Sequence, residues 1–243
     1  MVQISVSASL RRVRAVWKAE ADDVPPLEAD DRWRGDGPVV LVGGWCTTDP
    51  TLAPLRSWLE RLGYSVTTHT DGAGMGCAAR STERLRDVVR AAGDGGRGVR
   101  LLGYSRGGQF ARVVAQDPEL PIRSLVTLGT PFDLLGVSRP LMVQVAAVAV
   151  AGTLGVPRLT RLSCLYGACC AGFRGLLRGP VPVPFTTIYS RQDRLVRWQA
   201  CVDPTAGTVE VPGSHLGLLT DQTALRAVAR SLHRGDVPVA AGN

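Results

Sequence analysis

Ser105 stands between glycines in VRLLGYSRGGQF, residues 99–110. An apolar stretch runs into Gly103-Tyr104-Ser105-Arg106-Gly107, and a segment with helical spacing follows. A G-x-S-x-G turn of this kind can hold a serine on a cramped strand-to-helix elbow, Gly103 and Gly107 allowing the close approach, with the hydroxyl projecting to attack an electrophilic carbon. By itself the pattern is weak, because glycine and serine are ordinary turn formers. A hydroxyl is also a poor nucleophile without a base. The chain has 3 histidines. His69 follows an early strand and reads as packed or solvated, while His233 lies near the end of the last helical segment, where a cation is favoured. His215 follows the last strand-like run in VEVPGSHLGL, among small residues that leave a loop free to place the ring, and it is the candidate base. The base in turn needs a carboxylate to orient it. Asp193 closes TTIYSRQD and completes the chain order serine, aspartate, histidine; Asp133, after the fourth strand, is the competing acid. Two backbone donors complete the set: the N–H of Arg106 at the start of the elbow helix, and the N–H of Trp45 in VGGWCTTDP, where Gly43 and Gly44 let the chain turn. Together these groups could carry out acyl transfer through an acyl-enzyme on Ser105, with no metal or organic cofactor.

Chemistry of this kind needs a rigid frame. Apolar runs at 38–45, 64–70, 99–104, 122–132, 184–193 and 207–215 read as six strands, and they alternate with helical patterns at 52–64, 79–93, 108–117 and 221–234. Strands too apolar to face water, separated by helices, predict an α/β fold: a mostly parallel sheet with helices on both faces and reactive groups beyond the C-terminal strand ends. Residues 1–37 read as an N-terminal extension, with a short helix over about 8–20 followed by an acidic, proline-containing linker. Residues 38–243 read as the catalytic domain. Within it the apolar segment 134–183, rich in glycine, proline and cysteine, is too long for a plain connection and is expected to be an inserted cap over the site.

Composition narrows the function. The formal charge of +7 comes with 28 basic residues, of which Lys18 is the single lysine, spread along the whole chain. Aromatics at 5% are too sparse for nucleic-acid stacking platforms, so nucleic acid is not an expected partner. No basic n-region followed by an apolar core opens the chain, which points to the cytoplasm. The longest apolar run, residues 141–156, is shorter than the roughly twenty needed to span a bilayer. It is expected to be a buried or lipid-facing helix, which leaves peripheral membrane contact through the cap open. The 6 cysteines (46, 77, 164, 169, 170 and 201) match no common zinc spacing. A disulfide among Cys164, Cys169, Cys170 and Cys201 is open on the spacing, and it would imply an oxidising compartment.

Taken together, PVVLVGGW, GYSRGG, TLGTPF, YSRQDRLV and GSHLGL resemble the strand and oxyanion loop, nucleophile elbow, sixth-strand motif, acid turn and histidine turn of the α/β-hydrolase superfamily, lipase/esterase branch. The resemblance covers about residues 38–234. The pairing of YSRQDRLVRWQAC with EVPGSHLGL, plus a cysteine-bearing cap, is similar to triacylglycerol-lipase-like hydrolases of actinobacteria. It implies a six-stranded core lacking the first two strands of the full fold, serine esterase chemistry on an ester or lipid, and a bridge between cap cysteines and Cys201. Two positions depart from that pattern: Gly43-Gly44 where many lipases carry His-Gly, and Arg194 where glycine is common after the acid. The expected activity is carboxylic-ester hydrolysis. The alternatives are an acyltransferase or thioesterase with the same triad, a lipid-binding module without turnover, and, lower, a peptidase or amidase.

Overall fold

The computed structural model describes residues 31–234 apart from 94 and 134. The helix expected over 8–20, and most of the N-terminal extension, lie outside the described residues. Six strands are present: β1 (Pro38–Val42), β2 (Ser65–His69), β3 (Val99–Tyr104), β4 (Ile122–Leu128), β5 (Phe185–Tyr189) and β6 (Gly207–Glu210). They form one sheet in the order β2-β1-β3-β4-β5-β6, and every neighbouring pair is parallel. Most strands stop short of the apolar runs that announced them. β4 ends at Leu128, for example, because Gly129 takes φ +53° and turns the chain out of the sheet.

Helices α1 (Asp49–Arg61), α2 (Ala78–Gly93) and α3 (Arg106–Val114) follow β1, β2 and β3; α7 (Gln222–Arg234) closes the domain. Successive strand residues point to opposite faces, and the core divides accordingly. Val39, Leu41, Leu102 and Leu128 pack with Leu55 and Leu59 of α1 and Leu225 and Val228 of α7. Val40, Val42 and Leu101 meet Leu85 and Val89 of α2 and Phe110 and Val114 of α3 on the other side. Each such buried side chain contributes about 1.5–3 kcal/mol of transfer free energy, and burial on both faces explains why these strands read as continuous apolar runs.

The connections fix where a site can form. From β1 the chain steps outward to β2 over the α1 face, then returns over the α2 face to β3 and continues through β4 to β6. Right-handed crossovers demand that change of face when the direction reverses. The reversal leaves a crevice between the C-terminal ends of β1 and β3, where ligands collect in open parallel sheets. The loop holding Trp45 leaves one of these strand ends, and Ser105 leaves the other.

Between β4 and β5 lie α4 (Arg139–Thr153), α5 (Leu162–Leu165) and α6 (Ala171–Leu176). α4 is neither fully buried nor long enough to cross a bilayer. Ala149 and Gly152 are its buried residues, whereas Met142, Val143 and Val150 are exposed. No helix among the described residues is long and apolar enough to cross a membrane. The insertion is tied to the body of the domain through the Thr160 N–H, which donates to the Met75 carbonyl at 2.7 Å.

A buried ion pair, Arg112 with Asp203, links α3 to the segment after β5. Arg112 also donates to the Gly179 carbonyl at 2.9 Å and lies 4.8 Å over the Phe132 ring. Burial alone would raise the Asp203 carboxyl, but hydrogen bonds from Thr205 and the Arg112 charge more than offset it and hold it below the usual carboxylate range. A carboxyl that titrates lower when folded contributes stability above its unfolded pKa and loses it as pH falls through the folded one. The pair is therefore intact at neutral pH and fails only in acid.

Candidate active site

Ser105 adopts φ 53°, ψ −129° between β3 and α3, a region that L residues rarely occupy and that costs on the order of 1–3 kcal/mol. The surroundings over-determine it: the Ser105 N–H donates to the Leu128 carbonyl at 2.8 Å, and the Gly108 N–H donates to the Ser105 carbonyl at 3.0 Å. The flanking glycines are required by contact. A Cβ on Gly103 would lie 2.3 Å from Gly108 Cα, and one on Gly107 would lie 2.3 Å from the Val42 carbonyl oxygen. Strain held by such packing is the physical meaning of an elbow.

Asp193 and His215 meet at the neighbouring strand ends. His215 Nδ1 and Asp193 Oδ2 are 2.5 Å apart, and their side chains are 7% and 2% exposed. The other carboxylate oxygen accepts the N–H groups of Leu195 (2.8 Å) and Val196 (2.9 Å). With Nδ1–H donating to the carboxylate, the lone pair of the ring sits on Nε2. His215 is wedged against the elbow. Its ring centroid is 5.0 Å from that of Tyr104, the Tyr104 hydroxyl donates to the His215 carbonyl at 3.1 Å, and a Cβ on Gly129 would lie 3.1 Å from Nδ1. Asp133 sits elsewhere on the cavity wall, its Oδ1 accepting the Leu135 N–H at 3.0 Å.

Sequence reasoning missed the residues that join the acid and histidine turns. The Ser190 hydroxyl donates to the Gly213 carbonyl at 2.7 Å, while the Gln192 side chain accepts the Gly213 N–H at 2.9 Å. Arg194 fits the acid turn without strain, since it is not among the residues of positive φ. His69 lies at the end of β2, and burial pushes its imidazole pKa down.

The loop after β1 approaches the elbow so closely that a Cβ on Gly44 would lie 2.7 Å from Ser105 Cβ and 2.9 Å from the Arg106 nitrogen. The Gly44–Trp45 peptide and the Arg106 amide therefore stand side by side next to Ser105. The departure from His-Gly lies one residue earlier, at Gly43, where a Cβ would lie 2.9 Å from Thr47 Cγ2 and 3.0 Å from Thr70 Cγ2. The half-buried Arg106 guanidinium donates to the carbonyls of Gly74 and of Gly76, the latter at 3.2 Å, and lies 5.5 Å over the Trp45 ring. Burial lowers its pKa to about 10, against the opposing pull of Cys170, Cys77 and Cys164; it stays a cation at neutral pH.

Ser105, Trp45 and Arg106 open into a cavity of about 810 Å³, whose far wall includes Leu141, Met142 and Val145 of α4 and Phe173 and Leu177 around α6. A cavity of this size with few polar groups suits a small-molecule ligand that is largely apolar.

The bridge implied between the cap cysteines and Cys201 is not formed. All 6 cysteines are free thiols. Cys201 packs with Tyr189 and Val196, where burial and the Asp193 charge push its pKa up. The cap cysteines instead turn toward Cys77 on the α2 side of the core.

The chain has the α/β-hydrolase fold. Among solved structures it is similar to Est1E from Butyrivibrio proteoclasticus (14% identity, TM-score 0.58, covering 83% of this chain and 89% of that one). It is similar also to the monoacylglycerol lipase of Paleococcus ferrophilus (15%, 0.56, 84% and 95%) and to the thioesterase domain from the curacin biosynthetic pathway (17%, 0.53, 81% and 91%). No family model and no curated protein matches the chain. At these identities the likeness speaks for the fold, which hosts many chemistries; the function has to be argued from the site.

Proposed function

We propose that the protein is a serine hydrolase of carboxylic esters, of the esterase/lipase kind. The observation that carries this reading is a strained elbow serine that opens into an apolar cavity, with a buried His215–Asp193 pair packed against the same elbow through Tyr104. His215 Nε2 takes the proton as Ser105 Oγ attacks the acyl carbon. The Trp45 and Arg106 amides hold the oxyanion, and water then releases the acid from the acyl-enzyme. Asp193 orients the ring and stabilises the imidazolium. Neither metal nor organic cofactor enters the reaction. The solved structures of similar fold include a lipolytic enzyme, a monoacylglycerol lipase and a thioesterase domain, which supports ester or thioester chemistry.

On this reading the acyl chain of the ester lies in the apolar cavity. Each methylene transferred from water contributes about 0.8 kcal/mol, so kcat/KM for p-nitrophenyl esters should rise about fourfold per methylene until the cavity fills. A profile flat from acetate to decanoate would contradict an acyl-binding cavity. Adding an alcohol at high concentration separates hydrolysis from transfer: this reading requires free acid as the main product.

A further inference from the structure

Four thiols outside the reaction centre converge on one point. The sulfurs of Cys77, Cys164, Cys169 and Cys170 all lie within 4.8 Å of one another. Cys77 is 3.6 Å from Cys169 and 3.5 Å from Cys170, and Cys164 is 3.8 Å from Cys169. Four thiolates about 2.3 Å from a central zinc ion form a tetrahedron whose edges are about 3.8 Å. Three of the six separations, at 3.5–3.8 Å, are close to that edge, and the others stay within 4.8 Å. Two disulfides would instead divide the sulfurs into pairs about 2.05 Å apart, yet Cys77 is almost equidistant from two partners and favours neither.

We infer that these cysteines form a structural site for one tetrahedral, thiolate-preferring cation, zinc being the natural occupant. Sulfur donors select soft or borderline ions over magnesium or calcium, and a closed set of four protein ligands is the structural kind of zinc site. Binding releases the thiol protons and leaves an assembly of charge about −2. The surroundings suit that charge. Cys77 directly precedes α2, whose first-turn backbone N–H groups at Arg80 and Ala79 favour the thiolate forms of Cys77 and Cys170, and the positive end of the helix dipole lies at the cluster. The half-buried Arg106 guanidinium supplies a cation that interacts with Cys170, Cys77 and Cys164. Cys169 is exposed while its three companions are buried, which leaves an entry path.

The site would join separate parts of the chain. Cys164 sits on α5, Cys169 and Cys170 in the turn before α6, and Cys77 on the core. The same core segment holds Met75, which accepts the Thr160 N–H, and Gly74 and Gly76, which accept from Arg106. The ion thus fastens the insertion to the loop that backs the Gly44–Trp45 peptide. It takes no part in the ester chemistry, and the inference stands independently of that reading.

The test uses the full chain purified under reductant, with metal measured by mass spectrometry after dialysis against a moderate chelator. About one zinc per chain is expected for the wild type and for Cys201→Ser, and at least about tenfold less for Cys77→Ser and Cys164→Ser. If those variants fail to fold, cobalt(II) added to the wild type still decides. Tetrahedral thiolate ligation gives strong sulfur-to-cobalt charge-transfer absorption together with tetrahedral d–d bands. Reduced wild-type protein that retains no zinc and takes up no cobalt(II), or that closes two disulfides among these four residues in the presence of zinc, overturns the proposal.

Discussion

Ser105→Ala is expected to lower kcat/KM for the best p-nitrophenyl ester by about 10⁵–10⁶ and to leave thermal unfolding nearly unchanged. The size of the loss follows from the role: without Oγ no acyl-enzyme forms, and only direct attack by water within the same cavity remains. The Trp45 and Arg106 amides would still stabilise the oxyanion, so some residual rate above solution hydrolysis should persist. Stability should hold because alanine meets the same contacts as serine at φ 53°, and the Ser105 N–H and carbonyl bonds that fix the elbow are main-chain bonds. His215→Ala should cause a loss of similar size, and the double variant should be no worse than either single one, since the two residues act as a unit. Additive losses would mean that they serve different steps. Initial rates of the three variants, with circular dichroism to verify folding, are sufficient to decide.

Asp193→Asn is the second large effect, expected at about 10⁴ in kcat with the fold intact. Asparagine keeps the shape of the carboxylate but can present an N–H to Nδ1, which favours the tautomer with its proton on Nε2 and removes the base. The backbone groups of Leu195 and Val196 can still bond to the side-chain oxygen, so the turn should survive. Asp133→Asn is the decisive comparison, because Asp133 was the rival acid in the chain order. With its Oδ1 on the Leu135 N–H and no bond to His215, that substitution should change kcat by less than about threefold. Equal losses at both positions would remove the assignment of the acid to Asp193.

Much of the frame was legible in the chain because burial on both faces writes each strand as an apolar run. Val99–Tyr104 appears with the boundaries its hydrophobicity announced, and α1 stops just before Gly63, whose φ is +99°. The elbow was legible for a related reason: only glycine fits at 103 and 107, so the contact left its mark in the composition. Features made by long-range contact left no such mark. Cys77 lies 92 residues from Cys169 along the chain, so no local spacing pattern could reveal the cluster, and the pairing with Cys201 implied by resemblance pointed the wrong way. Arg112 and Asp203 are 91 residues apart and look like two surface charges until α3 buries them. The 141–156 run left two readings open, buried or lipid-facing, and the exposure of Met142, Val143 and Val150 removes full burial. An apolar composition marks a helix that avoids water, but whether a neighbour covers it depends on the docking of the whole insertion.

The acyl-enzyme on Ser105 is the centre of the account, and covalent trapping tests it most directly. The purified protein would be treated with a fluorophosphonate, which phosphonylates activated serines with loss of fluoride, and its peptides mapped by mass spectrometry. The account predicts one adduct per chain, on the peptide containing Ser105, with labelling and ester turnover lost in parallel. It further predicts that His215→Ala slows the labelling by orders of magnitude, since the hydroxyl then lacks its base. An adduct on another residue, or full ester turnover by protein quantitatively labelled at Ser105, would contradict it.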